Sequence, residues 1–408
     1  MSGVIVVKFG GSVLKDLSAI EEAASWVKKL LAGGYKIVVV VSAMKGVTDE
    51  LVNTAKMLAG NPDPELMDEI LSMGERISAR LFTLALREHG VNAMFIDPAD
   101  DYWPIITDSN HLDAEPLYIE TKKNVKEKIV PLLERGVVPV VCGFIGVTVD
   151  RKITTLGRGG SDTTAVLIAN CLEAEEVVLV KDVPGVFSAD PDIVGDSAKI
   201  LSELDFREAQ ALVKGGAKII HTKALRYLDR KLKLRIASME ELAANGGTVI
   251  RGYDPEIEVK TSPVRITMVT IIREDLDSTD VLEKIMKLLK KRDVKVLAVT
   301  CEEKALILYL EEREGIIVDV HSCLVNERLG KAVSFYQDLA MITVSGRMLE
   351  TSPGIIHKIT KPLAENNINL YGLITISSSI KLIVSSSVLE KARELLVKML
   401  REEVEVVT

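Results

Sequence analysis

Two hydrophobic periods alternate along the first ~250 residues. Valine- and isoleucine-rich runs at Val4–Phe9, Lys36–Ser42, Ala93–Ile96, Val137–Cys142 and Glu176–Lys181 have the length of strands buried on both faces. Between them, at Ala19–Leu31, Glu65–Glu88, Tyr118–Glu134 and Asp162–Leu172, apolar residues recur at the spacing of an amphipathic helix. In the second of these, Ile70, Ile77, Leu81 and Leu84 form one stripe, and Asp63-Pro64 offers a cap followed by a first-turn proline. Strands and helices in this alternation predict a mostly parallel sheet covered on both faces, a three-layer α/β/α domain.

The pattern changes after Gly246-Gly247. Pro255 and Pro263 bracket a linker-like stretch, and shorter units follow. Arg265–Ile272, Val294–Thr300 and Ala305–Leu310 read as strands around a helix at Asp280–Lys291. A second unit starts with a strand at Ala340–Val344, a Pro353-Gly354 turn and a helix to about Glu365. Strands at Ile368–Ile376 and Ile380–Ser385, a helix at Leu389–Leu400 and a closing strand at Val404–Val407 complete it. That β-α-β-β-α-β order is the ferredoxin-like arrangement, and the weaker first copy suggests a duplication. The expected domains are 1–258, 265–335 and 336–408.

A chain of 408 residues exceeds what one core usually supports. At 47% apolar and 27% charged residues it has the composition of a soluble globular protein. No apolar stretch approaches the roughly 20 residues of a membrane span, and no signal segment precedes the first strand, which points to the cytoplasm. The net charge of −8, without a long basic run, argues against nucleic acid. Cys142, Cys171, Cys301 and Cys323 form no CxxC pair, so neither a zinc site nor a disulfide framework is expected.

Chemistry concentrates in three segments, the first and third placed after predicted strands and the second entering a predicted helix. In Val6-Val-Lys-Phe-Gly-Gly-Ser12, two glycines let the backbone bend and bring N–H groups to a phosphate, and Lys8 brings a point charge; a merely structural turn would read the same way. In Thr154-Thr-Leu-Gly-Arg-Gly-Gly-Ser-Asp-Thr-Thr164, a glycine loop opens a helix at Ser161-Asp162. The helix start offers free N–H groups, and Arg158 can grip a carboxylate in bidentate fashion. Asp162 is equally suited to being a helix-start acid. In Val180-Lys-Asp-Val-Pro-Gly-Val-Phe-Ser-Ala-Asp-Pro-Asp192, a loop beyond a strand's carboxyl end sits where open α/β sheets bind ligands, with Asp182 and Phe187 in reach of a nucleotide. Gly215-Gly-Ala-Lys-Ile-Ile-His221 places a further lysine behind glycines.

Together these segments resemble the aspartate kinases of the amino acid kinase superfamily, along almost the whole chain. KFGGS, SAMKGVTD (Ser42–Asp49), MGERIS (Met73–Ser78), TTLGRGGSDTTA (Thr154–Ala165), DVPGVFSADP (Asp182–Pro191) and GAKIIH (Gly216–His221) occur in order. The resemblance implies the amino acid kinase fold and transfer of the ATP γ-phosphate to the β-carboxylate of L-aspartate, with magnesium. It implies Lys8 and Asp162 as the catalytic pair, and Gly10, Gly11 and Ser12 at the phosphates. It implies Ser42, Thr48, Glu75, Arg158, Gly159 and Ser161 around the amino acid, and Lys181, Asp182, Phe187 and Lys218 on the nucleotide. No protein metal ligand is implied. An ionised carboxylate acceptor needs no general base, which suits a site of lysines, an arginine and glycines. The tail resembles paired ACT domains, implying an amino-acid effector near Thr351-Ser-Pro-Gly354 and a homodimer or larger assembly.

Three departures from the family pattern concern the nucleotide side. Lys181-Asp182 stands where Thr-Asp is usual, Asp190-Pro191-Asp192 for Asp-Pro-Arg, and His221-Thr-Lys-Ala224 for His-Pro-Arg. The second puts an anion in place of a phosphate-facing cation, and Lys181 is the candidate to restore the charge. Two alternatives stand beside aspartate kinase: a same-fold kinase of glutamate, acetylglutamate or carbamate, and a catalytically silent amino-acid sensor.

Overall fold

The computed structural model describes residues 3–407 apart from 218, 245, 253–257, 273–277, 303, 347–348, 350–353 and 377–378. The chain forms two compact units, Met1–Pro255 and Glu256–Thr408.

In the first unit the apolar runs become one sheet of eight strands. They are β1 (Val4–Phe9), β2 (Lys36–Val41), β3 (Ala93–Ile96), β4 (Val138–Cys142), β5 (Glu176–Val180), β6 (Glu203–Asp205), β7 (Lys233–Ala237) and β8 (Thr248–Arg251). Their spatial order is β6-β8-β7-β5-β1-β2-β4-β3. Every neighbouring pair is parallel except β7 with β8. Strand β1 is central, and Val6, Val7 and Phe9 are completely shielded from solvent. Helices α1 (Leu17–Ala32), α2 (Val47–Ala59), α3 (Pro64–Glu88) and α4 (Gly160–Cys171) matter most for the site. Helix α3 starts as its sequence predicts, with the Asp63 carboxylate accepting the Leu66 N–H and Pro64 in the first turn. Helix α4 is buried on every side, which its run of small and aliphatic residues permits. A separate three-stranded sheet, Ile106–Thr107, Ile145–Thr148 and Ile153–Thr155, holds the approach to α4.

The second unit is a single seven-stranded sheet. Its strands are β9 (Glu258–Thr261), β10 (Ile266–Ile272), β11 (Val296–Glu302), β12 (Ala305–Glu311), β13 (Ala332–Ser345), β14 (Gly372–Ile376) and β15 (Ser379–Ser385). The order is β11-β12-β10-β13-β15-β14, with β9 also paired to β13. Strand β13 serves both halves: its first part pairs with β10 and its second with β15. Helices pack two separate cores, one around Val281, Ile285 and Leu289, the other around Ile359, Leu363 and Leu396.

One sequence expectation fails here. The helix that begins at Leu389 runs on to Val407, where the sequence predicted a closing strand at Val404–Val407. The edge that strand would have taken is occupied. Glu258–Thr261 lies antiparallel along Thr343–Ser345 and Ile342, so the segment entering the unit closes the second half.

Candidate active site

Lys8 stands near the carboxyl end of the central strand, opposite Val40 on β2 and Leu179 on β5, and is only 7% exposed. After Phe9 the chain turns at once: the Gly10 carbonyl accepts from the N–H groups of Val13 (3.0 Å) and Leu14 (2.9 Å). Gly11 excludes a side chain from this turn, and one on Gly10 would crowd Lys8. A Cβ on Gly10 would lie 3.2 Å from the Lys8 ammonium, and one on Gly11 would lie 2.7 Å from the Ala43 carbonyl oxygen. Ser12 is exposed beside them.

Asp162, in the first turn of α4, is 6% exposed and sits between two lysines. Lys8 Nζ is 2.7 Å from its Oδ1, and Lys181 Nζ, just past β5, donates to its Oδ2 at 2.9 Å. Burial works to raise the Asp162 carboxyl, but the two ammonium groups overcome it and hold the acid well below the usual carboxylate range. Asp162 is therefore an anion at any working pH. It cannot act as a proton acceptor near neutrality, and its chemistry is to fix cations. Two lysines on one carboxylate leave a local excess of one positive charge. A cleft of about 400 Å³ opens here, walled by Asp162, Lys181, Val213, Ile219, Ile220 and His221.

Ala43 bridges the glycine turn to α3. It is wedged between Gly11 and Gly74, where a Cβ on Gly74 would come within 2.7 Å of the Ala43 side chain. Its N–H donates to Glu75 Oε1 at 3.0 Å. Glu75 is 3% exposed, and its Oε2 has no partner among the described residues. Burial pushes the Glu75 carboxyl up to about 7, opposed by the Ala43 N–H and the charge of Lys8. A buried acid with one vacant oxygen is prepared for a ligand's cation. Ser42 and Thr48 lie half-buried on either side of this corner, and the Gly46 backbone (φ +84°) lets α2 begin there.

Arg158 occupies the turn that opens α4, flanked by Gly157 and Gly159, both at φ +71°. Neither glycine tolerates a side chain: a Cβ on Gly157 would collide with the Asp113 carboxylate and one on Gly159 with His221. The Arg158 side chain is exposed and makes no hydrogen bond or ion pair among the described residues. Ser161 is buried against Gly143, where a Cβ would stand 2.7 Å from the serine's own.

The structure thus brings Lys8, Asp162 and Lys181 into one cluster beside the Gly10-Gly11 turn, with Glu75 near enough to feel Lys8. Asp182 is exposed, and Phe187 is half-buried in a hairpin opposite Ile200. Neither wall of the cleft is formed by them. Asp192 is exposed in the short helix Pro191–Val194, its N–H bonded to Asp190. Lys218 and the Thr351–Pro353 loop lie outside the described residues. Sequence reasoning passed over a buried framework beneath the glycine loop. Asp68, fully buried on α3, accepts from Thr155 Oγ1 at 2.6 Å and pairs with His111 Nδ1 at 2.7 Å. Lys223, 3% exposed, forms a second buried anchor through Asp113, Ala114 and Leu156. Their partners are 43 to 110 positions away in the chain, so no local spacing marks them.

A paired-lysine acid at the carboxyl edge of a parallel sheet, next to side-chain-free turns, is machinery for moving a phosphoryl group, which demands positive charge and alignment. The sequence model of the Amino acid kinase family matches residues 3–238, and that of an ACT domain residues 334–398. The chain is 32% identical to Aspartokinase 2 of Bacillus subtilis over 408 residues, covering 96% of each chain. It is 31% identical to the Aspartokinase of Geobacillus stearothermophilus, covering 90% of each. A solved structure of Aspartate Kinase from Synechocystis superposes with a TM-score of 0.74 at 25% identity, covering 97% of this chain and 69% of that one. The chain belongs to the aspartokinase branch of the amino acid kinase family, and it is an ATP-dependent kinase.

Proposed function

We propose that the enzyme transfers the γ-phosphoryl group of ATP to the β-carboxylate of L-aspartate, giving 4-phospho-L-aspartate for the biosynthesis of lysine, threonine and methionine. The observation that carries this reading is Glu75: a buried carboxylate with one occupied and one vacant oxygen, beside the lysine cluster. It accepts the α-ammonium of an amino acid, while Arg158 takes a carboxylate, and Ser42, Thr48, Gly159 and Ser161 complete the pocket. The side-chain carboxylate is already ionised, so the enzyme's task is to hold it in line and neutralise charge.

Lys8 serves the transferring phosphate, and Asp162 holds Lys8 and Lys181 in register. The glycine turn (Gly10, Gly11, Ser12) lines the phosphates, and the apolar wall of Val213, Ile219 and Ile220 receives the base. Asp182, Phe187 and Lys218 are assigned to the nucleotide by family resemblance. Among the described residues no group of three His, Cys, Asp or Glu could hold a metal, and both oxygens of Asp162 are engaged by lysines. The magnesium implied by the family is assigned to the Mg–ATP substrate, and this chain's own contribution is its cations.

We assign catalysis to the unit ending at Pro255, a little before the expected 258, and two ACT-like units near 265–335 and 336–408 to the second, with β13 (Ala332–Ser345) shared across their limit. The ACT match supports an amino-acid effector in the second, where Gly354 (φ +76°) opens the helix Ile355–Glu365. A homodimer or larger assembly and a cytoplasmic location complete the proposal; no helix among the described residues is long and apolar enough to cross a membrane. The test is ATP-dependent acyl phosphate formation trapped by hydroxylamine, with L-aspartate, L-glutamate and N-acetyl-L-glutamate offered separately. Turnover with L-aspartate alone is expected. Preference for another acid, or no turnover with any, overturns the reading.

A further inference from the structure

Lys223 is an unusual residue to find buried. It lies in the four-residue helix Thr222–Leu225, immediately after His221 and Thr222 on the cleft wall. An ammonium has three protons and no acceptor, and its transfer from water is costly unless each proton finds an oxygen. Here Nζ donates to the Asp113 carboxylate at 2.9 Å, the Ala114 carbonyl at 2.9 Å and the Leu156 carbonyl at 3.1 Å, with Glu115 a further 3.3 Å away. Every one of these oxygens belongs to the approach to the arginine turn. Leu156 directly precedes Gly157. Asp113 fills the space where a side chain on Gly157 would stand. Ala114 is tied to the same strand end, its N–H bonded to the Thr155 carbonyl at 2.9 Å.

The turn carrying Arg158 is gripped from both sides by one short segment. His221 packs on Gly159 at its exit, and Lys223 binds Leu156 and Asp113 at its entrance. No described residue bonds the Arg158 side chain, so the point from which its guanidinium reaches out is set by this backbone. The same segment, Ile219–Thr222, walls the cleft assigned to the nucleotide.

We propose that Lys223 is the positioning residue of substrate recognition: it fixes the Arg158 turn, and through its own segment it makes the hold on the amino acid depend on occupancy of the nucleotide cleft. This deepens the aspartate kinase reading and rests on it. When a nucleotide presses on Ile219–Thr222, the ammonium at the end of that segment transmits the constraint to Leu156. Binding free energies are reciprocal, so aspartate must then favour nucleotide by the same factor.

The experiment compares wild type with Lys223→Met, Lys223→Arg and Asp113→Ala. Asp113 is largely exposed, so its removal leaves the fold intact and weakens the clamp alone. In Lys223→Met two buried carbonyls lose their donor, and the turn relaxes. The KM for L-aspartate is expected to rise about 10- to 100-fold, the scale of a misplaced binding group. The KM for Mg–ATP and kcat at saturating aspartate should stay within about threefold. Lys223→Arg, which keeps a cation and several donors, should recover most of the loss, and Asp113→Ala should show a smaller rise in the same sense. Calorimetric binding of L-aspartate with and without ADP supplies the second readout: the nucleotide should tighten aspartate in the wild type and not in Lys223→Met. An unchanged aspartate KM in both Lys223→Met and Asp113→Ala, or equal ADP coupling in wild type and Lys223→Met, overturns the proposal while the kinase reading stands. A wild type that never phosphorylates aspartate removes both.

Discussion

Replacing Lys8 by methionine should lower kcat by roughly 10²–10³ and leave the protein folded, the scale seen when one preorganised charge-stabilising donor is removed. Lys8 is well suited to that test. Methionine matches the length of its stem, so β1 keeps its packing between β2 and β5. Asp162 would not be stranded, because Lys181 still contacts its Oδ2 at 2.9 Å. What disappears is the ammonium that faces the glycine turn, only 3.2 Å from where a Gly10 side chain would begin. The KM for Mg–ATP should rise less than kcat falls, since the charge that develops during transfer is what Lys8 stabilises. Steady-state rates at saturating substrates, with a circular-dichroism melt for the fold, check this. A kcat within tenfold of wild type would leave phosphoryl transfer without its main cation.

Glu75→Gln should have opposite effects on binding and stability. Burial pushes the carboxyl up to about 7 in the fold, against the ordinary 4.5 of a solvated glutamate in the unfolded chain. The folded state thus holds that proton more tightly, and the stabilisation this brings is complete below pH 4.5 and lost as pH rises through 7. Above that range the native protein carries a buried charge whose Oε2 is uncompensated. At pH 8 glutamine removes that charge, and the variant should be more stable than wild type by about 1–3 kcal/mol. The difference should shrink to nothing or reverse at pH 4.5. Without the carboxylate the substrate ammonium has no counter-charge, and the KM for L-aspartate should rise by two orders of magnitude or so. Thermal melts across that pH range and aspartate titrations at pH 8 decide the point. Equal stability at both pH values, or an unchanged KM, would contradict the role given to Glu75.

Much of the site was legible because its parts are local. A lysine two residues before paired glycines at a strand end, and an arginine between glycines at a helix start, are patterns of adjacent residues whose geometry follows from strand, turn and helix rules. The sheet was legible for a similar reason: strands buried on both faces announce themselves as unbroken aliphatic runs. What could not be read is what long-range contacts decide. Lys181 was expected on the nucleotide, and nothing in the sequence showed that on the cleft wall it would also pair with Asp162, on a different element. Ala43 looks like an unremarkable loop residue, yet Gly11 and Gly74 are both shaped around it. Asp68 sits in a helical pattern where a polar residue usually faces water, Lys223 in a stretch marked only by its departure from the family pattern, and only the folded chain shows them buried. The closing strand at Val404–Val407 failed for the same reason. A local valine pattern favoured strand, but Glu258–Thr261, far away in sequence, already occupied the edge.

The central claim is that a guanidinium held between two left-handed glycines captures the acidic amino acid beside the lysine-clamped phosphate site. Steady-state kinetics of Arg158→Ala test it most directly, because Arg158 is exposed and unpaired among the described residues, so its loss disturbs no other contact. The KM for L-aspartate should rise at least 100-fold while the KM for Mg–ATP stays within about threefold, as expected when a charge-assisted bidentate contact to one substrate is lost. An unchanged aspartate KM, or an equal rise for both substrates, would contradict the account.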